Sequence, residues 1–128
     1  MQAERARPED ATELWHAYLS LCPGDAEGWM RLGQAALMND DMELASQAFL
    51  EVCEREPLNG LAQGALGHIA AQHRYYDEAI TRYAAAVELR PGCPDMLAEL
   101  MRCQQLAGDQ EGAEETRLRL DRIDMMDE

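Results

Sequence analysis

Apolar residues recur along this chain at helical spacing. Near the start, Ala11, Leu14, Trp15, Tyr18 and Leu19 stand at i, i+3, i+4, i+7 and i+8, the stripe of a helix with one covered face. Asp10 offers a cap with Glu13 at the capping-box position, and Pro23-Gly24 ends the run. Similar punctuation predicts six more helices. They cover about 26–38 after Asp25, about 41–55 with Asp40 and Glu43 as a second capping box, and about 60–72 after Pro57 and Asn59. The rest cover about 76–89 before Pro91-Gly92, about 94–108 with Pro94 in the first turn, and about 109–124. Connections of only a few residues predict that successive helices pack antiparallel. The expected fold class is all-α, with about seven helices and no strand.

The same pattern returns every 34 residues, at Pro23, Pro57 and Pro91. Ala11, Ala45, Ala79 and Ala113 keep this step, as do Trp15, Phe49 and Tyr83; Leu32, Leu66 and Leu100; and Gly33 and Gly67. A period of this length marks an antiparallel helix-hairpin solenoid, in which each unit contacts only its neighbours and the binding surface is open. Residues 1–128 read as one domain. A half repeat at 9–25 precedes repeats at 26–59 and 60–93, and a degenerate repeat with a capping helix follows at 94–128.

Small residues at Gly33 and Ala45, and again at Gly67 and Ala79, let the helices of one unit approach closely. Phe49 and Tyr83 are expected to fill the gap toward the next hairpin, with Leu32 and Leu66 on the buried seam. The third unit keeps Leu100 and Ala113 but has Met101 in place of the glycine and Arg117 in place of the aromatic. At the other end, a half unit that leaves Trp15 and Leu19 partly uncovered is a candidate contact for a homodimer.

Composition narrows the partners. Aromatics are 5% of the chain and β-branched aliphatics are confined to Val52, Ile69, Ile80, Val87 and Ile123, which disfavours sheets. The net charge is −14 and every basic residue is Arg. So acidic a surface repels phosphate backbones and anionic headgroups, so neither nucleic acid nor membrane is an expected partner. No apolar run spans a bilayer, and the first ten residues lack the apolar stretch of a signal peptide. Cys22, Cys53, Cys93 and Cys103 form no CxxC pair, so they read as free thiols and the expected location is cytoplasmic.

Trp29, Leu32, Gly33, Ala36, Ala45, Phe49 and Pro57 together resemble one tetratricopeptide repeat, the pattern W-x2-L-G-x2-Y…A-x3-F…P. Gln63, Leu66, Gly67, Ala70, Ala79, Tyr83 and Pro91 repeat the resemblance, and the stretch YDEAITRYAAAVELRP at 76–91 is similar to the family's second helix. The resemblance implies that the first helix of each unit lines a concave groove. The matching positions are Glu27, Met30, Gln34, Leu37 and Met38, then Leu61, Gly64, His68, Ala71 and Gln72, then Asp95, Ala98, Arg102, Gln105 and Leu106. Such a set, largely small, amide or apolar, suits an amphipathic helix or an extended apolar peptide. His68 is the only imidazole in it, a candidate source of pH-dependent binding.

Two specialised uses of the family are disfavoured. The clamp that grips chaperone C-terminal carboxylates needs Lys, Asn and Arg, but the matching positions hold Met30, Gln34, Ala65, Asp95 and Glu99. The asparagine ladder of repeat-bearing glycosyltransferases would need Asn at Arg31, Ala65 and Glu99. Enzyme chemistry finds no motif: His16, His68 and His73 include no HExxH, and no glycine-rich loop follows a strand. His73 and Asp77 are one turn apart, but a zinc site needs three or four ligands, so neither a metal nor another cofactor is expected. The expected function is a non-catalytic module that binds an apolar peptide or helix of a partner protein, as adaptor or assembly scaffold. Two alternatives stay open: a secretion-type chaperone for a membrane-active client, and the regulatory portion of a larger enzyme.

Overall fold

Residues 8–126 are described by a computed structural model. Seven α-helices make up the described residues, and no strand occurs among them. They are α1 (Pro8–Leu21), α2 (Ala26–Met38), α3 (Met42–Arg55), α4 (Gly60–Gln72), α5 (Tyr76–Leu89), α6 (Pro94–Ala107) and α7 (Gln110–Met126). The chain forms two compact units that divide between Leu58 and Asn59. In the first, α1 packs on α2 and α2 on α3; in the second, α4, α5, α6 and α7 each pack on the next.

Short polar side chains set the helix starts. Asp25 accepts a hydrogen bond from the Glu27 N–H, Asp41 from Leu44, Asn59 from Ala62 and Asp109 from Gly112, at 2.9–3.1 Å. Two expected caps differ. Asp10 lies inside α1, which already begins at Pro8, so it does not cap that helix. Asp41, not Asp40, caps α3, because Asp40 is consumed by the preceding turn with φ +62°.

That turn recurs with the sequence period. Asp40, Arg74 and Gly108 all take left-handed backbone, at φ +62°, +63° and +85°. The next N–H then bonds five residues back, Asp41 to Ala36, Tyr75 to Ala70 and Asp109 to Gln104, at 2.8–2.9 Å. These are Schellman-type helix ends, which satisfy carbonyls the helix leaves free. Only one of the three turn residues is glycine, the residue that pays no steric penalty there.

In the first unit Leu19, Leu32 and Ala48 form the core, with Trp15, Trp29 and Leu44 against it. Leu19 is therefore covered, contrary to the expectation that it is partly uncovered, whereas Trp15 is half-buried. Phe49 sits face-on to Gly33 inside the α2–α3 hairpin. In the second unit Tyr83 lies over Gly67 and clusters with Ala70, Ala79, Val87, Leu97, Leu100 and Cys103, so its ring does reach from one hairpin to the next helix. The α6–α7 hairpin lacks a ring on its seam. There the Thr116 hydroxyl donates to Gln104 Oε1 at 2.7 Å, both side chains buried, and Arg117 is exposed in ion pairs with Glu114 and Asp121.

Candidate functional site

The first helices of the repeats, α2, α4 and α6, each bury one face. Leu32, Ala35 and Ala36 are inside on α2, Leu66, Ile69 and Ala70 on α4, and Leu97, Leu100 and Cys103 on α6. What the other faces present can be read position by position.

On α2, Glu27, Gln34 and Met38 are exposed, Leu37 is half-buried and Met30 is buried. Glu27 accepts from Arg31 Nε at 2.9 Å, an ion pair in open solvent and so of small energetic weight. Met38 is 76% exposed at the C-terminal end of the helix. On α4, Leu61, His68 and Gln72 are exposed and Ala71 is half-buried, with His68 Nε2 3.5 Å from the Gln72 amide nitrogen. On α6, Asp95, Ala98, Arg102, Gln105 and Leu106 are all exposed.

Gly64 is buried, and its neighbour is a residue the sequence pattern did not single out. Met96 of α6 lies against it so closely that a methyl group added to Gly64 would overlap the thioether. The signal was present in the register: Gly28 and Ala62 occupy the places equivalent to Met96, so a long side chain arrives where the earlier units are small. Met96 thereby joins α4 to α6 within the second unit, and the exposed α4 and α6 positions flank that contact. Arg82 Nη1 donates to Gln63 Oε1 at 3.3 Å and ties α5 to the same helix.

Cys103, Tyr83 and His73 serve packing and a helix end. Burial, and then the neighbouring Glu99 charge, pushes the Cys103 thiol up, which keeps it protonated and a poor nucleophile. Burial likewise pushes the Tyr83 phenol up. None of the four cysteines is in a disulfide. The His73 ring hydrogen-bonds the Ile69 carbonyl at 2.9 Å through Nδ1 and stacks on Tyr75, so the ring completes a helix end. Among the described residues no three His, Cys, Asp or Glu side chains gather as a metal site, and no helix is long and apolar enough to cross a membrane.

Helical hairpins with a 34-residue register and a glycine–aromatic seam define a helical-repeat protein. The tetratricopeptide repeat pattern matches residues 2–60 and 65–124, and the chain belongs to that family. Members of this family are protein–protein interaction modules. No curated protein matches the chain. Among solved structures, a crystal structure of MamA superposes with TM-score 0.91 at 20% identity, covering 98% of this chain and 73% of that one. A second, of MamA protein, gives 0.88 at 20% identity over 96% and 67%. The MamA RS-1 ArsTM double mutant gives 0.91 at 19% over 98% and 71%. At these identities the likeness is one of fold, the tetratricopeptide helix-hairpin fold.

Proposed function

We propose that the chain is a non-catalytic adaptor or assembly scaffold that binds an apolar peptide or amphipathic helix of a partner protein on the first-helix faces. In the first unit the contact positions are Glu27, Gln34, Leu37 and Met38 on α2; in the second, taken by itself, they include Leu61, His68, Ala71 and Gln72 on α4. On α6 they are Asp95, Ala98, Arg102 and Gln105. Met30 and Gly64 support these faces from beneath. The observation that carries this reading is the exposure of small, amide and apolar side chains on α4 and α6, beside the Met96 contact, in a chain of net charge −14. Leu61 is 49% exposed there, an apolar area that a bound helix would cover.

The test is capture of partners on the immobilised chain, identified by mass spectrometry and compared with Met38→Glu, Leu61→Glu and Ala98→Glu variants. Each substitution is at an exposed site, so far-UV circular dichroism should be unchanged. Placing a carboxylate in an apolar contact should lower the affinity of a genuine partner by about tenfold or more. Partners retained equally by the triple variant would sink the reading.

A further inference from the structure

Helix α7 stands one 34-residue step after α5, so the contacts of α5 show what the same places on α7 would meet. Tyr83 and Val87 of α5 are 3% and 0% exposed, in one cluster with Leu97, Leu100 and Cys103 of α6. Ile80 and Ala84 pack against that cluster. The equivalent places on α7 hold Glu114, Arg117, Leu118 and Asp121, and all four are exposed. Arg117 bridges the two acids: its Nε donates to Glu114 Oε2 at 3.1 Å and its Nη1 to Asp121 Oδ2 at 3.2 Å. Elsewhere α7 keeps the apolar character of the repeat. Ala113 is buried, and Leu120 and Ile123 pack on the core of the second unit.

The geometry points to α7 as a face that bars stacking. Glu114, Arg117 and Asp121 keep the first helix of any further hairpin, in the same chain or in another copy, from packing there as α6 packs on α5. Two ion pairs with about half of each side chain in solvent contribute little to stability, so holding α7 together does not account for them. Their effect is on what approaches. A helix with the α6 pattern Leu97, Leu100 and Cys103 would strip water from two carboxylates and one guanidinium and offer them no polar partner. A helix end that is only solvated needs a polar outer face, with its charges placed anywhere on it. Here they fall on three of the four seam places and pair with one another. Leu118, 45% exposed at the Ala84 place, adds bulk where α5 is small. This exclusion concerns the α7 seam alone and is independent of what binds the first-helix faces.

The test is a fusion to the full chain. A second copy of residues 94–126 is joined directly after Asp127, where the 34-residue step places a next hairpin. Ala98→Ser at an exposed place in the copy makes its peptides distinguishable by mass. Amide hydrogen exchange then compares the appended α6 copy on unaltered α7 with the same copy on α7 carrying Glu114→Ile, Arg117→Tyr and Asp121→Val, the residues of α5. On unaltered α7 the copy should exchange as an undocked segment, and on the substituted α7 about tenfold or more slowly. Leu118→Ala alone should leave the copy undocked, because the charges remain. A protected copy on unaltered α7, or on α7 with Leu118→Ala alone, overturns the proposal whatever the triple substitution does. So does equal exchange of the copy in the unaltered and triply substituted fusions when α4, α5 and the original α6 exchange alike in both.

Discussion

Replacing Gly33 with alanine tests the seam on which each hairpin closes. A methyl built on Gly33 would lie 2.7, 2.8 and 2.9 Å from Phe49 Cζ, Cε1 and Cε2. Phe49 is fully buried, so its ring cannot swing clear without moving its neighbours. At Gly67 the same methyl would meet the Tyr83 ring at 3.1–3.2 Å, a contact relieved by a shift of a few tenths of an ångström. Both substitutions gain about 1 kcal/mol of helix propensity, so this term cancels in their difference. Overpacking costs about 1–3 kcal/mol when side chains must be forced aside. Gly33→Ala should therefore be the less stable variant by roughly 1–2 kcal/mol, and Gly67→Ala should lie near wild type. Urea unfolding followed by far-UV circular dichroism measures the difference, with Trp15 and Trp29 fluorescence reporting the first unit by itself. Combining Gly33→Ala with Phe49→Leu should recover about 1 kcal/mol relative to the sum of the single effects. A Gly33→Ala variant at least as stable as Gly67→Ala, with no such coupling, would refute the ring-on-glycine account.

Other perturbations read other parts of the hairpins. Thr116→Val leaves the buried Gln104 oxygen without its hydroxyl donor and should cost about 1–3 kcal/mol in thermal or urea unfolding. Replacing both residues with alanine restores the pair found at Ala36 and Ala48, and should cost less than the two single changes together. Arg74→Gly relieves a left-handed arginine and should raise stability by up to about 1 kcal/mol, a gain a denaturation midpoint resolves. The hydrogen bond from the Tyr18 hydroxyl holds the Asp25 carboxyl below its usual range, and this bond, with burial, pushes the phenol up to about 12. The carboxylate contribution is present above the ordinary carboxylate range and is lost as pH falls through the lowered value. The phenol contribution is present below its ordinary value of 10.0 and is lost as pH rises toward about 12. The stability difference between wild type and Tyr18→Phe should therefore be flat near neutrality and shrink at both extremes, as melting curves across pH would show.

The helix boundaries were largely legible because their signals are local. Asp25 caps where a short polar side chain before an apolar run predicts, Asn59 stands in the break before α4 and caps it, and Pro94 opens α6; Asp109, read as the first residue of the last helix, is its cap. Asp40 was misassigned as a cap because Asp40-Asp41 offers two equivalent carboxylates, and only the backbone turn decides which is spent on left-handed φ. Arg74 gave no signal at all, since arginine has no preference for that region; its place is imposed by the tertiary turn. The exposed stripe of α1 was misread for a different reason. Periodicity shows which residues share a face but not whether another helix covers it, and Leu14 belongs to a face that nothing described covers. Met96 reaching Gly64 depends on side-chain length across two helices, which a repeat alignment reveals only when the departures from it are followed.

These departures separate what the repeat needs from what it leaves free. The turns at Asp40, Arg74 and Gly108 share one backbone geometry although their side chains differ completely. Helix length and this turn therefore set each hairpin, and the seam adapts. A ring over glycine closes it at Phe49–Gly33 and Tyr83–Gly67, and a buried hydroxyl–amide pair closes it at Thr116–Gln104 once Met101 has displaced the glycine. Residues on the exposed first-helix faces answer to neither constraint. Gln34, His68 and Arg102 occupy one register position in three successive units, and all three are exposed. A change from amide to imidazole to guanidinium at that position leaves turn and seam intact. On the faces proposed for binding, partner preference can thus vary at little cost to the fold, and the proposal predicts that exchanging these three residues alters binding far more than unfolding.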